Sequence, residues 1–159
     1  MPSPFDGILI DREAIWVALQ QRLADSLGNK VHTLGRQHVR PPALSPEQQP
    51  ACFVVEVREN RNPRPSGVGG KITLNGFLIL YFQCPQFEDA GAESQLGATV
   101  LNGLLLAIDQ ALLPDSLSQG TLTLGGLVQH CWIDGDVDYD PGIMSQQGAA
   151  ILPIRILVP

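Results

Sequence analysis

The chain has 159 residues, 44% of them hydrophobic and 16% charged, and its formal net charge is −6 at pH 7. This length suits one domain with a real core, and no apolar run reaches the ~18 residues that a membrane-spanning helix needs. The acidic total argues against a protein whose main task is binding nucleic acid. The charged share lies below the ~25% of average proteins, which fits a surface partly covered by other chains.

The opening Met1-Pro-Ser-Pro-Phe-Asp has no basic segment before an apolar run, so no secretory signal is expected. In chain order, Asp11 to Leu27 places Ile15, Trp16, Leu19, Leu23 and Leu27 at helical spacing. Asp11 is its expected N-cap and Gly28-Asn29 its stop. Gly35 to Pro50 reads as a flexible loop, since Pro41-Pro42 forbids a regular helix there. Ala51 to Arg58 and Lys71 to Phe82 read as strands, with Gly76 marking a bulge. Residues 59 to 70, rich in Pro and Gly, read as a second flexible loop. Glu93 to Leu113 is the second helix, with Leu96, Val100, Leu104, Ala107, Ile108 and Ala111 on one stripe and Pro114 ending it. Leu127 to Asp136 and Ala149 to Val158 form the last hairpin. The order helix, hairpin, helix, hairpin predicts a single α+β domain over 1–159, with a mainly antiparallel sheet and the helices on one face.

The charges are unevenly placed. From Lys30 to Lys71, seven basic residues face three acids, whereas from Cys84 onward Arg155 alone faces nine acids. A body with a basic and an acidic side can associate head to tail, and such a contact makes a ring if it closes. The loop carrying Arg58, Arg61, Arg64 and Lys71 is far longer than the ~2–5 residues a hairpin needs. It holds none of the aromatic residues that stack single-stranded bases. Contact with an acidic neighbouring subunit is therefore favoured over contact with a phosphate backbone. The alternating Asp134, Asp136, Asp138 and Asp140 form the opposite candidate contact.

Motifs for chemistry are sparse. Gly67-Val-Gly-Gly-Lys71 lacks the spacing of a phosphate loop, and Lys71 opens a strand rather than a helix. The four alternating aspartates lack the Gly and Glu positions of an EF-hand, with Tyr139 and Ser145 standing there, so they read as a solvated turn rather than a calcium site. His130 and Cys131, adjacent in a strand, point to opposite faces and cannot pair directly as base and nucleophile. His32 and His38 lie at no metal-ligand spacing. Cys52, Cys84 and Cys131, odd in number and in apolar surroundings, read as reduced core thiols of a protein made in a cytosol. No catalytic residue, metal or cofactor is expected. The competing readings are a nucleic-acid-binding accessory protein using the 58–71 loop and a small hydrolase with Cys131 or Cys52 as nucleophile.

Several stretches together resemble one family. They are the helix Ala14 to Leu27, Gln49-Pro-Ala-Cys-Phe53, and the Lys71 strand ending in Tyr81. With them go Leu101-Asn-Gly-Leu-Leu-Leu-Ala-Ile-Asp-Gln-Ala-Leu112 before Pro114, the block Thr123 to Asp136, and Ala150 to Val158. Over nearly the whole chain this pattern resembles the tail terminator (minor tail, or tail-completion) proteins of long-tailed bacteriophages and prophages. The resemblance implies a small α+β subunit that forms a hexameric ring at the head-proximal end of the tail tube. There it stops tube growth and presents a docking surface for the head. Its implied partners are its own copies, the major tail tube protein and a head-completion or connector protein, and its implied place is the virion, assembled in the host cytoplasm. Other head–tail joining proteins share a similar layout. The family has no catalytic residues to carry over, and the Pro-rich Arg40 to Pro50 segment is longer than its pattern.

Overall fold

The computed structural model describes residues 9–63, 70–84, 97–142 and 145–158. It is an α+β fold: two helices cover one face of a six-stranded mixed sheet. Helix α1 spans Arg12–Leu27, and the Asp11 carboxylate accepts from the Ala14 N–H at 3.0 Å, as its cap position demands. It ends at Gly28, whose φ of 49° suits glycine and whose N–H reaches back to the Ala24 carbonyl. The predicted stripe Ile15, Trp16, Leu19, Leu23 and Leu27 is buried throughout. Full burial of each such leucine contributes roughly 1.5–3 kcal/mol. Helix α2, Gly97–Ala111, lies beside α1 and stops ahead of Pro114; the start expected at Glu93, and Leu96, fall outside the described residues.

The strands are β1 (Thr33–Gly35), β2 (Ala51–Pro63), β3 (Gly70–Gln83), β4 (His130–Ile133), β5 (Asp138–Asp140) and β6 (Gln147–Val158). They run across the sheet as β1-β2-β3-β6-β4, with β5 also on β6. All pairs are antiparallel except β1 with β2, where Thr33–Gly35 lie parallel to Ala51–Phe53. Alternation sorts the faces: Ile72, Leu74, Leu78, Leu80 and Phe82 of β3, with Ala150, Leu152, Ile154 and Ile156 of β6, enter the core under the helices.

The segment from 35 to 50 is not a plain loop. It folds as two 3-10 turns, Pro41–Ala43 and Pro46–Gln48, and packs on the sheet face opposite the helices. There Leu44 meets Ala51 and Phe53, and the His38 Nε2 lies 2.7 Å from the Tyr81 hydroxyl. Its prolines suit tight turns that present apolar residues downward, which the sequence pattern alone does not register. Arg36, at its start, bridges Glu13 of α1 and Glu56 of β2.

Three boundaries differ from the sequence expectation. The β2–β3 ladder continues to Pro63 opposite Gly70, so the loop expected at 59–70 is reduced to residues 64–69, outside the described set. Arg58 to Asn62 are exposed and lack apolar alternation, which is why the ladder there is invisible to a hydrophobic pattern. The bulge lies at Val57 on β2, between Glu56 and Arg58, opposite Gly76 rather than at it. Last, the run Leu127 to Gln129 is a turn, and β4 begins at His130. Leu124, Gly125 and Gly126 have φ of 51°, 74° and 92°, a left-handed stretch that no strand contains.

That turn is held by Asp115, whose carboxylate accepts from the Thr123 N–H, the Thr123 hydroxyl and the Gly125 N–H. Partial burial pushes this carboxyl up, but the Thr123 and Gly125 hydrogen bonds outweigh it and hold it below the usual range. A depressed folded value means that the stabilisation is present above the unfolded pKa and is lost as pH falls through the folded one. Asp115→Ala is therefore expected to lower stability by about 1 kcal/mol, as loss of a capping side chain does. Urea unfolding checks it: the gap between wild type and variant should close as the buffer is taken below pH 4.

Candidate subunit interface

Of the proposed contact residues, Arg58 and Arg61 lie on one open sheet edge and Asp138 and Asp140 on another. On one side, β1 pairs β2 only at Ala51–Phe53, so from Val54 onward no described strand lies on β2's outer edge. On the other side, β5 pairs β6 through Asp138↔Ile151, Tyr139↔Ala150 and Asp140↔Ala149, and no described strand lies beyond it. An open edge presents unpaired N–H and C=O groups in the plane of the sheet.

Pairing sorts the basic residues by face, since directly opposed residues point the same way. Arg58 lies opposite Asn75, on the face away from the helices, and Arg61 lies opposite buried Ile72, on the helix side. The structure thus separates two residues that the sequence groups as one arm. Lys71 is exposed in β3 opposite Asn62, and Arg64 lies outside the described residues. Glu59 holds the helix side of this edge together, bonded to Arg12 at 2.7 Å and to Arg61 at 3.0 Å. Partial burial works against its charge, but these two guanidiniums outweigh that and hold its carboxyl below the usual range. Glu56 is likewise held by Arg36. Arg58 makes no ion pair among the described residues, so the edge carries one uncompensated cation.

The bulge at Val57 opens a hollow on each face of this edge. The outer one, about 290 Å³, is lined by Val57, Arg58, Asn75, Phe77, Pro153 and Arg155. The helix-side one, about 240 Å³, is lined by Arg12, Trp16, Val57, Glu59 and Leu74. Arg155, which the sequence reading left unassigned, stands in the outer hollow; as the lone cation of an otherwise apolar strand, at a non-core position, it was the available signal. It pairs with Asp134 at 3.0 Å and donates to the Asn75 side-chain oxygen at 3.3 Å. Asp134 is thereby bound within its own chain.

The acidic edge is more exposed. Asp136 and Asp138 make no side-chain hydrogen bond or ion pair among the described residues, and Asp140 accepts from the Gly142 N–H at 2.8 Å. Between Asp138 and Asp140 stands Tyr139, 59% exposed, which the sequence reading passed over. The segment read as a turn from Asp134 to Asp140 therefore contains a short strand.

Other candidates are placed elsewhere. Cys52 and Cys131 are wholly buried, and burial pushes both thiols up to about 12, so neither is a thiolate at neutral pH. His130 stacks on Trp132 with ring centres 4.8 Å apart, and its Nδ1 accepts from the Leu122 N–H. Among the described residues no three His, Cys, Asp or Glu side chains are grouped to hold a metal ion. Among the same residues no helix is long and apolar enough to cross a membrane.

The chain matches no protein-family model and no curated protein. Among solved structures it is similar to a chain of the virion of a native gene transfer agent (GTA) particle, with a TM-score of 0.50 and 14% identity over 92% of this chain and 95% of that one. The two chains share a fold. The likeness spans both helices and the sheet rather than one motif, since little of either chain is left out.

Proposed function

We propose that this chain is a structural virion protein that caps the head-proximal end of a phage-like tail tube as a ring. In this reading the ring ends tube growth and offers the filled head its docking surface. The observation that carries it is the fold likeness to a chain of the gene transfer agent virion across nearly the full length of both chains. The resemblance of the sequence to tail terminators supplies the station along the particle, and the two open edges of opposite charge supply a means of ring closure. Six copies, the tube protein and a head-completion protein are the partners the resemblance implies. Arg58, Arg61, Arg64 and Lys71 on one side, with Asp134 to Asp140 on the other, are the proposed contacts.

Deleting the gene and imaging particles by negative-stain microscopy tests the role. The expected result is headless tails of irregular, extended length beside unattached heads. Uniform tails of normal length without heads would move the chain to another head–tail joining station. Normal particles would overturn the virion role.

A further inference from the structure

We infer that neighbouring copies join by strand addition, with β5 of one copy pairing along the open 58–60 edge of β2 in the next. This rests on the ring reading and states how the ring closes. Strand direction permits it. In the order β2, β3, β6, β5 each neighbour is antiparallel to the last, so β5 runs opposite to β2. Placing the β5 edge of one copy beside the β2 edge of the next then makes an antiparallel pair and one sheet running through both copies.

The side chains agree with that placement on both faces. If the sheet is continuous, the helix side of one copy continues as the helix side of the next. Tyr139 shares its face with Ala150, the helix side, and so falls at the helix-side hollow beside Trp16, Leu74 and Arg12. That hollow, about 240 Å³, exceeds the ~150 Å³ cavity that takes a benzene ring. Asp138 and Asp140 share their face with Ile151 and Ala149, the outer side, and fall where Arg58 stands uncompensated. The register that clears the Val57 bulge sets Asp140 opposite Arg58, Tyr139 opposite Glu59 and Asp138 opposite Asn60. An aromatic anchor in a hollow with charge pairs around it is the usual make-up of an energetically dominant contact.

Charge also selects which edges meet. Two β5 edges repel through their aspartates, and two β2 edges bring Arg58 against Arg58, whereas the unlike pair attracts. Each copy then has one edge of each kind, so the contact is heterologous and closes only as a ring. The short β5 and the bulge in β2 limit pairing to a few residues, which guards each edge against indiscriminate strand addition.

Paired cysteines test the register in the full-length chain. Asn60→Cys together with Asp138→Cys, oxidised in assembled particles and in concentrated purified protein, should give a ladder of disulfide-linked multimers ending at the ring. Either single variant, with one exposed thiol, should give at most a dimer and no ladder, because Cys52, Cys84 and Cys131 are buried. Arg58→Asp should raise the concentration needed for assembly at least tenfold, and adding Asp140→Arg should restore it. All these positions are exposed, and circular dichroism verifies that each variant folds. Particles that assemble with no ladder, and with Arg58→Asp behaving as wild type, would overturn the edge pairing while leaving the capping role intact. A ladder from a chain whose deletion leaves tails normal would overturn the role and keep the interface.

Discussion

Replacing Ile154 by aspartate is expected to abolish folding. Ile154 is 2% exposed in the middle of β6, with Gly76 of β3 on one side and Ile133 of β4 on the other. Among the described residues the cations nearest in register, Arg155 and Arg58, sit on the outer face, so a carboxylate at 154 enters the core without a partner. The loss of apolar burial adds to the desolvation of the carboxyl, for a cost of about 5 kcal/mol. Domains of this size hold only ~5–15 kcal/mol in total. Far-ultraviolet circular dichroism of the purified variant should show an unfolded chain at 25 °C. A native-like spectrum with an unchanged urea midpoint would show that β6 does not stand in the core.

Gly76→Ala should be nearly as damaging, for a different reason. A Cβ at Gly76 would run into the Val55 carbonyl and come within 2.9 Å of the Trp16 ring. The first obstacle is backbone, two residues before the bulge at Val57, and it has no rotamer with which to yield. Overpacking of this kind costs about 3 kcal/mol. Gly103→Ala is the internal control, since Gly103 lies within α2 and a Cβ there meets nothing within 4 Å. That change should stabilise by about 0.5–1 kcal/mol through helix propensity alone. Urea midpoints moving in opposite directions for the two alanines would separate steric demand from backbone freedom.

Where an element buries a regular apolar stripe, it was readable from the residues. α1 announced itself through Ile15, Trp16, Leu19, Leu23 and Leu27, with its cap at Asp11 and its stop at Gly28. β6 did so from Ala149 through a nearly continuous apolar run, whereas its alternation of buried and open positions shows only in the structure. The parts that escaped are those fixed by something distant. Three residues of β1 carry no period, and their place beside Ala51 is decided by the parallel ladder they join. Leu124 adopts its left-handed φ because Asp115, nine positions earlier, binds the backbone around it. Arg58 to Asn62 of β2 are exposed, so apolar alternation is absent on that strand, although Ile72 and Leu74 opposite them on β3 are buried. For the interface, the two charged regions were legible, but their faces were not. Arg58 and Arg61 look like neighbours on one arm until the ladder assigns them to opposite sides of a sheet. Tyr139 was passed over because an exposed aromatic beside aspartates resembles any polar turn until its edge is seen to be open.

The strand that holds three others, β6, bonded to β3, β4 and β5, is the last of the six in chain order. On the ribosome, β2 and β3 are close in sequence and can zip together as soon as residue 83 has emerged. β4 and β5 have no such opportunity, because among the described residues the strand each pairs with is β6. They wait, unpaired, until residues 147 to 158 follow. A translation product cut short before Gln147 has a loose hairpin and two orphan segments, and is open to proteases. Products cut short before Gln147 are therefore expected to be removed before they meet finished chains.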